Sequence, residues 1–187
     1  MNYKQTLKYT ITQLKEGKTI LYPTDTVWGI GCDATNCEAV KRIYKIKNRK
    51  ESKSLIILVD SIEMLMKYLK KVPKEALEFL KNTIKPTTII YSDPMNLAQN
   101  TIANDNTIAI RIVKNKFCQN LIKEFDKPIV STSANVSGEP TPKTFSEISA
   151  AIINKVDYVV NLHQDSIAEK SSTIVKIQEG NVIVIRD

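Results

Sequence analysis

The chain has 187 residues, of which 42% are hydrophobic and 25% are charged, and its formal net charge is +7. These values are ordinary for a soluble globular protein of one domain that is long enough to bury a core. No run approaches the roughly 20 apolar residues that a membrane span needs. The N-terminus lacks the apolar core of a signal peptide, so the expected location is the cytoplasm.

The net charge and the numbers of cysteines and histidines limit the kinds of partner, metal site and catalytic mechanism that the chain can have. The positive balance favours anionic partners such as nucleotides, RNA or acidic surfaces, without choosing among them. Cys32, Cys37 and Cys118 have no second cysteine or histidine pair to complete a metal site, so reduced thiols are predicted. The single histidine, His163, would have to serve any Ser-His or Cys-His mechanism, and nothing nearby supports that role. It is predicted to lie in a loop or at the surface.

The first elements in chain order are a helix and a strand. Apolar residues at helical spacing predict a helix over 3–16 that stops at Gly17. A strand over 19–22 follows, and Asn36 is predicted to cap a helix over 36–48. Further predicted elements are a covered strand over 55–59, helices over 61–70 and 73–82, strands over 87–91 and 107–112, a helix over 115–125 and a strand over 128–131.

The C-terminal part is rich in strands. Capping-box spacing at 144–147 predicts the start of one more helix. Strands are predicted over 156–161, 172–177 and 181–185, the last two joined by a turn that contains Gly180. Since helices and strands interleave, the predicted fold class is α/β with an open mixed sheet flanked by helices.

The segment 131–138, with the sequence STSANVSG, is the strongest candidate for a binding site. It adds hydroxyls, an amide and a glycine to the end of the strand predicted over 128–131. Small donors at a strand end can hold a polyanion without adding bulk. On local grounds an ordinary polar turn is the alternative. A P-loop is excluded, because neither GxxxxGK[ST] nor GxGxxG occurs.

A cluster of cations follows the helix predicted over 36–48. Lys47, Arg49, Lys50 and Lys53 fall within seven residues, where the helix dipole favours positive charge. They either form a solvated charged run or face an anion that other parts of the chain hold.

Two other regions could contribute to such an anion site. In 22–31, a strand ends in a turn with two threonines, an aspartate and glycines that let a ligand approach the backbone. Its alternative is a tight turn packed beneath Trp28. Arg111 alternates with isoleucines on the strand predicted over 107–112, and burying an unpaired arginine is costly. Either a structural carboxylate or a substrate would be its partner.

These motifs occur together in the order typical of one family. The chain contains YPTDTVWG at 22–29, KNR at 47–49, AIR at 109–111, STSANVSG at 131–138 and STIV at 172–175 before its last arginine. In this combination the chain resembles the YrdC-like threonylcarbamoyl-AMP synthases over about residues 5–186. The Lys-x-Arg and Ser-x-Asn signatures are specific when they occur together.

The resemblance implies a fold and an activity. The fold would be a single YrdC-like domain over 1–187, an open twisted sheet with a large positively charged cavity. The family makes L-threonylcarbamoyladenylate and pyrophosphate from L-threonine, bicarbonate or CO2, and ATP, for N6-threonylcarbamoyladenosine modification of tRNA. The implied enzyme is a nucleotidyltransferase that uses Mg²⁺ with ATP and no organic cofactor. Downstream tRNA threonylcarbamoyl-transfer enzymes would receive its product.

The resemblance also implies roles for individual residues. The L-threonine site would contain Thr26, Arg111, Ser131 and Ser172. The ATP site would contain Arg49, Lys53, Thr107, Ser133, Asn135, Thr141 and Arg186. Lys47 and Arg49 are assigned to catalysis, in which cations offset the repulsion between a carbamate and the phosphates of ATP.

The sequence departs from the family pattern at a few positions. Trp28 stands where the family more often has tyrosine or phenylalanine, at a position predicted to tolerate an aromatic change. The chain stops after Arg186 and Asp187, without the glycine that often follows and without the C-terminal domain of the longer branch. It is therefore expected to be of the single-domain type.

Two alternative functions fit the same sequence. One is an RNA-binding module without synthase activity, which uses the basic surface for tRNA or double-stranded RNA. It predicts steep salt dependence and function that survives Arg111→Ala or Ser172→Ala. The other is a relative of the same fold that acts on a different carbamoyl or acyl adenylate.

Overall fold

The computed structural model describes residues 1–49, 55–168 and 170–187. Within them, helices and strands interleave along the chain and the strands join one sheet. The strands are β1 (Ile20–Tyr22), β2 (Gly29–Gly31), β3 (Ile56–Val59), β4 (Thr87–Ser92), β5 (Thr107–Ile112), β6 (Ile129–Ser133), β7 (Tyr158–Val159), β8 (Thr173–Gln178) and β9 (Asn181–Arg186). The helices are α1 (Tyr3–Lys15), α2 (Cys37–Lys47), α3 (Ile62–Lys67), α4 (Lys74–Asn82), α5 (Lys116–Phe125) and α6 (Ala150–Ile153).

The strands lie in the order β7-β1-β2-β6-β3-β5-β4-β8-β9 across the sheet. The neighbouring pairs β1–β7, β3–β5 and β4–β8 are parallel, and the other neighbours are antiparallel. This arrangement confirms the predicted α/β class with a mixed sheet. Of the helices in the described ranges, none is long and apolar enough to cross a lipid bilayer.

Helix α2 begins and ends at residues that suit a helix boundary. The Asn36 side chain accepts hydrogen bonds from two backbone amides of the first turn, as predicted for a cap. At the other end, Asn48 has a left-handed backbone with φ 50°, which ends the helix and turns the chain. The turn lies between Lys47 and Arg49, so these two cations contact different parts of the molecule.

The two faces of the central strands differ in character. On one face, which we call the core face, five residues in register across five strands are between 0% and 2% exposed: Val130, Ile57, Ile110, Ile89 and Val175. Successive side chains of a strand point to opposite faces. On the other face, which we call the cavity face, the neighbouring residues of four of these strands border an open cavity: Ser131, Ile56, Ala109 and Ile90.

The prediction of a helix that opens at 144–147 is wrong. Phe145–Glu147 forms a single 3-10 turn, and the Glu147 carboxylate accepts a hydrogen bond from the Lys143 amide instead of closing a capping box. Ile148 is buried and has an extended backbone, which ends the turn. The helix α6 starts only after this residue.

Two strands differ from the prediction, because pairing with neighbouring strands determines whether β2 forms and how long β7 is. The prediction omits β2, whose sequence Gly-Ile-Gly carries no strand pattern, and whose backbone pairs with β1 and β6. The strand predicted over 156–161 shortens to Tyr158–Val159, which pairs with β1. The other predicted elements are confirmed, with ends that shift by up to three residues.

Candidate active site

A cavity of about 350 Å³ opens on the cavity face of the sheet. Its volume lies within the range of small-molecule sites. Strands β2, β6, β3, β5 and β4 form its floor, and the loop before β2 and the start of β8 form its walls. The described residues that line it are Thr26, Val27, Gly29, Arg49, Leu55, Ile56, Ile90, Ala109, Arg111, Ser131, Thr132, Ser133, Thr141, Ser171, Ser172, Ile174, Ile185 and Arg186.

A larger depression, of about 1020 Å³, lies at the N-terminal end of α2. Among the residues that the structure describes, its lining offers one cation, Lys41, beside the Glu38 carboxylate, and it includes none of the predicted site residues. Charge-assisted donors hold a polyanion most strongly, and the described lining of this depression provides a single cation for that purpose. The smaller cavity is therefore the candidate site.

The loop between β1 and β2 presents Thr26 to the cavity. The Thr24 hydroxyl donates to the Val27 carbonyl oxygen (2.7 Å) and accepts from the Thr26 amide (3.1 Å). Further along, Trp28 is buried, and its ring centroid lies 4.9 Å from that of Phe145. These contacts close the loop on itself and anchor it, so they hold the Thr26 side chain at the cavity wall.

Arg111 projects from β5 on the cavity face and pairs with a carboxylate. Its Nη2 donates to Asp25 Oδ1 (3.0 Å) and to Thr26 Oγ1 (3.3 Å). The Arg111 and Asp25 side chains are only 3% and 8% exposed. The Nε atom of Arg111 is buried and has no hydrogen-bond partner among the described residues. The arginine thus has a structural carboxylate, and Nε is one of its donors that the described residues leave unpaired.

Ser172, which precedes β8, is fixed from two sides. Its hydroxyl lies 2.8 Å from the hydroxyl of Thr88 on β4, and both residues are buried. Its carbonyl oxygen accepts a hydrogen bond from Arg186 Nη2 (2.8 Å). Because Thr88 is in register with Arg111 on β5, the same part of the sheet holds the serine and the arginine.

Lys47 lies beneath the cavity rather than in its wall. Its side chain is buried, and Nζ donates to the carbonyl oxygens of Ser133 and Asn135, the latter at 2.6 Å. Burial, and then the positive charge of Arg49, lowers the pKa of Lys47 to about 8. The Asn135 side chain accepts from the Ser133 hydroxyl and donates to the Glu139 carbonyl oxygen (2.7 Å). The two signatures therefore meet in one hydrogen-bonded cluster at the end of β6.

The eight predicted site residues that the structure brings together all line the cavity: Thr26, Arg49, Arg111, Ser131, Ser133, Thr141, Ser172 and Arg186. Lys47 and Asn135 support them from below. Thr107 lies on the same face of β5 as Arg111, beyond the lining, and its hydroxyl donates to Asp105 (2.6 Å). Lys53 lies outside the described residues.

The described lining of the cavity contains three arginines: Arg49, Arg111 and Arg186. Burial lowers the pKa of Arg49, and burial together with the charge of Arg111 lowers the pKa of Arg186. The Arg49 and Arg186 guanidinium groups nevertheless stay charged, because the pKa of arginine starts so high. Among the lining residues that the structure describes there is no carboxylate. This arrangement favours an anionic ligand.

The histidine and the three cysteines lie outside the lining of this cavity. His163 is exposed in the loop between β7 and β8, as predicted. Cys32 and Cys118 are buried, and Cys37 is exposed at the start of α2. Within the described chain, the nucleophiles that line the cavity are hydroxyl groups.

Two residues that shape the site had no predicted role. Asp25 is part of the YPTDTVWG motif, so its position between two threonines was a usable signal. Thr88 had no such signal, because its contact with Ser172 depends on the register between β4 and β8.

The sequence of the chain matches a known family. The profile of the Sua5/YciO/YrdC family, described as telomere recombination, covers residues 12–187. A threonylcarbamoyl-AMP synthase of Pseudoalteromonas translucida is 34% identical over 164 residues, which are 86% of this chain and 88% of that protein. A threonylcarbamoyl-AMP synthase of Blochmanniella pennsylvanica is 30% identical over 181 residues, which are 95% of this chain and 92% of that protein.

The fold matches a solved structure as well. The crystal structure of Pyrococcus abyssi Sua5 complexed with L-threonine aligns with a TM-score of 0.87 and 26% sequence identity. The alignment covers 100% of this chain and 54% of the Sua5 chain, so this chain spans about half the length of that relative. With the family profile matched from residue 12 to residue 187, the chain belongs to the Sua5/YciO/YrdC family.

Proposed function

We propose that this chain is a threonylcarbamoyl-AMP synthase, a nucleotidyltransferase that combines L-threonine, bicarbonate or CO2, and ATP. The observation that carries the proposal is the cavity on the sheet, in which Arg111, Arg49 and Arg186 converge with a set of hydroxyl groups. Two relatives named threonylcarbamoyl-AMP synthase and a relative complexed with L-threonine support the same substrates.

The amino acid would bind at the Arg111 end of the cavity. Its carboxylate is the natural partner for the unpaired Nε donor of this buried arginine. Thr26, Ser131 and Ser172 line the same cavity, and their hydroxyls would hydrogen-bond to the amino acid. The substrate would thereby be oriented with its amine toward the rest of the cavity.

ATP would occupy the other end. Arg49, Ser133 and Thr141 supply a cation and hydroxyls that suit phosphate oxygens. Arg186, which donates to the Ser172 carbonyl oxygen, would contact the phosphates from the amino-acid end. Lys47 would act beneath them, by holding the backbone of Ser133 and Asn135 in position. Its assignment in the mechanism is thus to organise the nucleotide end, together with Arg49.

The proposed reaction joins these two ends. The neutral amine of threonine attacks CO2, a new N–C bond forms, and a proton passes to solvent. An oxygen of this carbamate attacks the α-phosphorus of ATP, the bond from that phosphorus to the bridging oxygen breaks, and pyrophosphate leaves. Both reactants are anions, so the three arginines would lower the barrier by offsetting their repulsion. Orientation of the two substrates in line contributes further.

Magnesium would enter with ATP. The described lining offers hydroxyl groups and no carboxylate, which suits a Mg²⁺ held mainly by phosphate oxygens and water rather than by a protein cage. When bound, the ion would neutralise charge on the phosphates. The chain's own arginines remain the groups that orient the nucleotide.

The product is proposed to serve N6-threonylcarbamoyladenosine modification of tRNA through a separate transfer enzyme. The relatives' names favour a synthase over a module that only binds RNA. A contact between this chain and tRNA is not needed for the reaction at the cavity.

The test is pyrophosphate release by the purified chain with ATP, Mg²⁺, bicarbonate and each amino acid in turn. We expect release that depends on threonine and on bicarbonate. Release without threonine dependence would overturn the proposal.

A variant completes this experiment. Arg111→Ala is expected to lower threonine-dependent kcat/KM on the order of 10²- to 10³-fold, as for loss of a key charged donor. Full activity of this variant, together with salt-sensitive RNA binding, would favour the RNA-binding module instead.

A further inference from the structure

We propose that Asp25 is a positioning residue for the amino-acid substrate: its carboxylate fixes the Arg111 guanidinium so that an unused N–H donor faces the substrate carboxylate. The inference rests on the proposed function, because it takes an amino acid as the ligand of Arg111. Asp25 itself does not line the cavity, and its side chain is 8% exposed. It would therefore act through the arginine.

The geometry of the ion pair supports this role. Asp25 Oδ1 accepts from Nη2 of Arg111 (3.0 Å), whereas Nε of Arg111 is buried and has no partner among the described residues. A guanidinium group is planar and rigid, so fixing one of its corners fixes the directions of its other donors. A buried donor without a partner is unfavourable until a ligand oxygen reaches it. A substrate carboxylate supplies that oxygen.

Asp25 is itself held firmly enough to do this. Its Oδ2 accepts from the backbone amide of Lys114 (3.0 Å), which lies two residues beyond the end of β5. One carboxylate thus ties the 23–28 loop both to β5 and to the segment that follows it. The next residue of the loop, Thr26, accepts from the same Nη2 at 3.3 Å. Asp25 consequently orders the arginine and the neighbouring threonine hydroxyl together.

A simpler role for Asp25 would be to neutralise a buried charge. A second ion pair of similar chemistry separates the two roles. Asp33 has a side chain that is 7% exposed, and it accepts from the Thr35 amide (2.8 Å) and from Lys127 Nζ (2.8 Å). Neither partner of this pair lines the cavity. Asp33→Asn is therefore a control for the loss of a buried carboxylate outside the cavity, with a cation that is 48% exposed where Arg111 is 3% exposed.

The experiment compares L-threonine binding and steady-state kinetics of the wild type with Asp25→Asn and Asp25→Ala. Asparagine keeps the size of the side chain, but its amide nitrogen cannot accept, so one of the two hydrogen bonds is lost. We expect the threonine Kd and KM to rise roughly 10- to 100-fold, more for alanine than for asparagine. The KM for ATP should change less than about twofold, with kcat at saturating threonine nearly kept.

A merely structural role gives a different pattern. Partial unfolding lowers kcat for the total protein and leaves both KM values unchanged. That pattern in Asp25→Asn, or an unchanged threonine Kd, would overturn the proposal. Asp33→Asn should lower the thermal midpoint without moving the threonine KM, and an equal rise in its threonine KM would also count against Asp25.

A measurement on the wild type keeps the proposal testable if the Asp25 variants do not fold. We expect the side-chain NMR signals of Arg111 to show hindered rotation in the ligand-free protein, and the Nε–H signal to shift when L-threonine is added. Freely rotating guanidinium signals would contradict a fixed orientation.

Failure of the proposed function gives distinct results. If the wild type binds threonine but releases no pyrophosphate, the proposed synthase function is overturned. The Asp25 variants can still be compared with the wild type by their threonine Kd values. If the wild type shows threonine-dependent turnover and Asp25→Asn binds threonine with normal affinity, the proposed synthase function stands and the proposal for Asp25 is overturned. If the wild type binds no L-threonine, both proposals are overturned.

Discussion

The core face and the cavity face of the central strands are formed by alternate residues, which are buried among aliphatic side chains on one face and border the cavity on the other. Ile110 on β5 is 2% exposed within a row of buried aliphatic residues, whereas Ala109 and Arg111 on either side of it border the cavity. The alternation of side chains along a strand produces this contrast over a single residue. Stability and ligand binding therefore rest on alternate residues of the same strands, and mutations should separate them.

The largest effect is expected from the core face. Ile110→Ala removes a buried side chain between Ile57 and Ile89, so the free energy of unfolding should fall by roughly 2–5 kcal/mol. Urea unfolding measures this loss. The threonine KM of the remaining folded protein should stay unchanged. A threonine KM that rises together with the loss of stability would contradict the view that the core face serves stability and the cavity face serves binding.

A change at Lys47 should affect both stability and ligand binding, because this buried residue at the end of α2 holds the backbone at the end of β6. Lys47→Met removes the donor to the carbonyl oxygens of Ser133 and Asn135, at a cost of roughly 1–3 kcal/mol in the free energy of unfolding. The KM for ATP should rise more than the KM for threonine, since Ser133 lines the nucleotide end. An unchanged KM for ATP would limit Lys47 to a structural role.

The same variant has a pH signature. Burial holds the pKa of Lys47 at about 8 in the folded protein, against 10.5 when unperturbed. Between these values the unfolded chain binds more protons, so this residue makes the free energy of unfolding rise with pH. The stability difference between wild type and Lys47→Met should therefore increase from pH 8 to pH 10. A flat difference over that range would contradict the lowered pKa.

A smaller effect is expected for Thr88, which holds the Ser172 hydroxyl from β4. Thr88→Val keeps the shape and removes the hydrogen bond of 2.8 Å, so the threonine KM should rise about fivefold, equivalent to about 1 kcal/mol. Thr87→Val on the same strand is the control, because the Thr87 hydroxyl donates to the Lys85 carbonyl oxygen instead. Equal KM changes in the two variants would remove the special role of Thr88.

The smallest effect is expected at Gly29. A Cβ there would lie 3.1 Å from Ser131 Oγ, so the serine must move by a few tenths of an ångström. Gly29→Ala should raise the threonine KM about threefold, equivalent to about 0.7 kcal/mol. Steady-state kinetics would reveal this change. Gly31→Ala should mainly lower stability, because its Cβ would lie 2.5 Å from the Val130 carbonyl oxygen.

Most elements of the fold were predictable from local patterns. Helix α2 follows its Asn36 cap, and β5 follows the alternation around Ile110. The errors have a common cause, since β2, the short β7 and the 3-10 turn at 145–147 depend on pairing or packing with distant residues. A pattern in a short window carries no information about such partners.

The candidate site was predictable in its residue types and not in their partners. The motifs identified the arginines and the hydroxyl residues, because these residue types can bind anions whatever their position in the fold. The motifs left open whether Arg111 pairs with a carboxylate or a substrate, and they grouped Lys47 with Arg49. Tertiary structure separates the two cations through the left-handed turn at Asn48.

By itself the sequence determined the class of fold, the set of polar and cationic site residues and the resemblance to a synthase family. Tertiary structure alone decided that Asp25 pairs with Arg111, that Thr88 holds Ser172, and that Lys47 lies beneath the cavity. The physical reason is that motif residues report on chemistry, whereas a hydrogen bond also requires that two distant segments meet at a particular register. That register is set by the whole sheet.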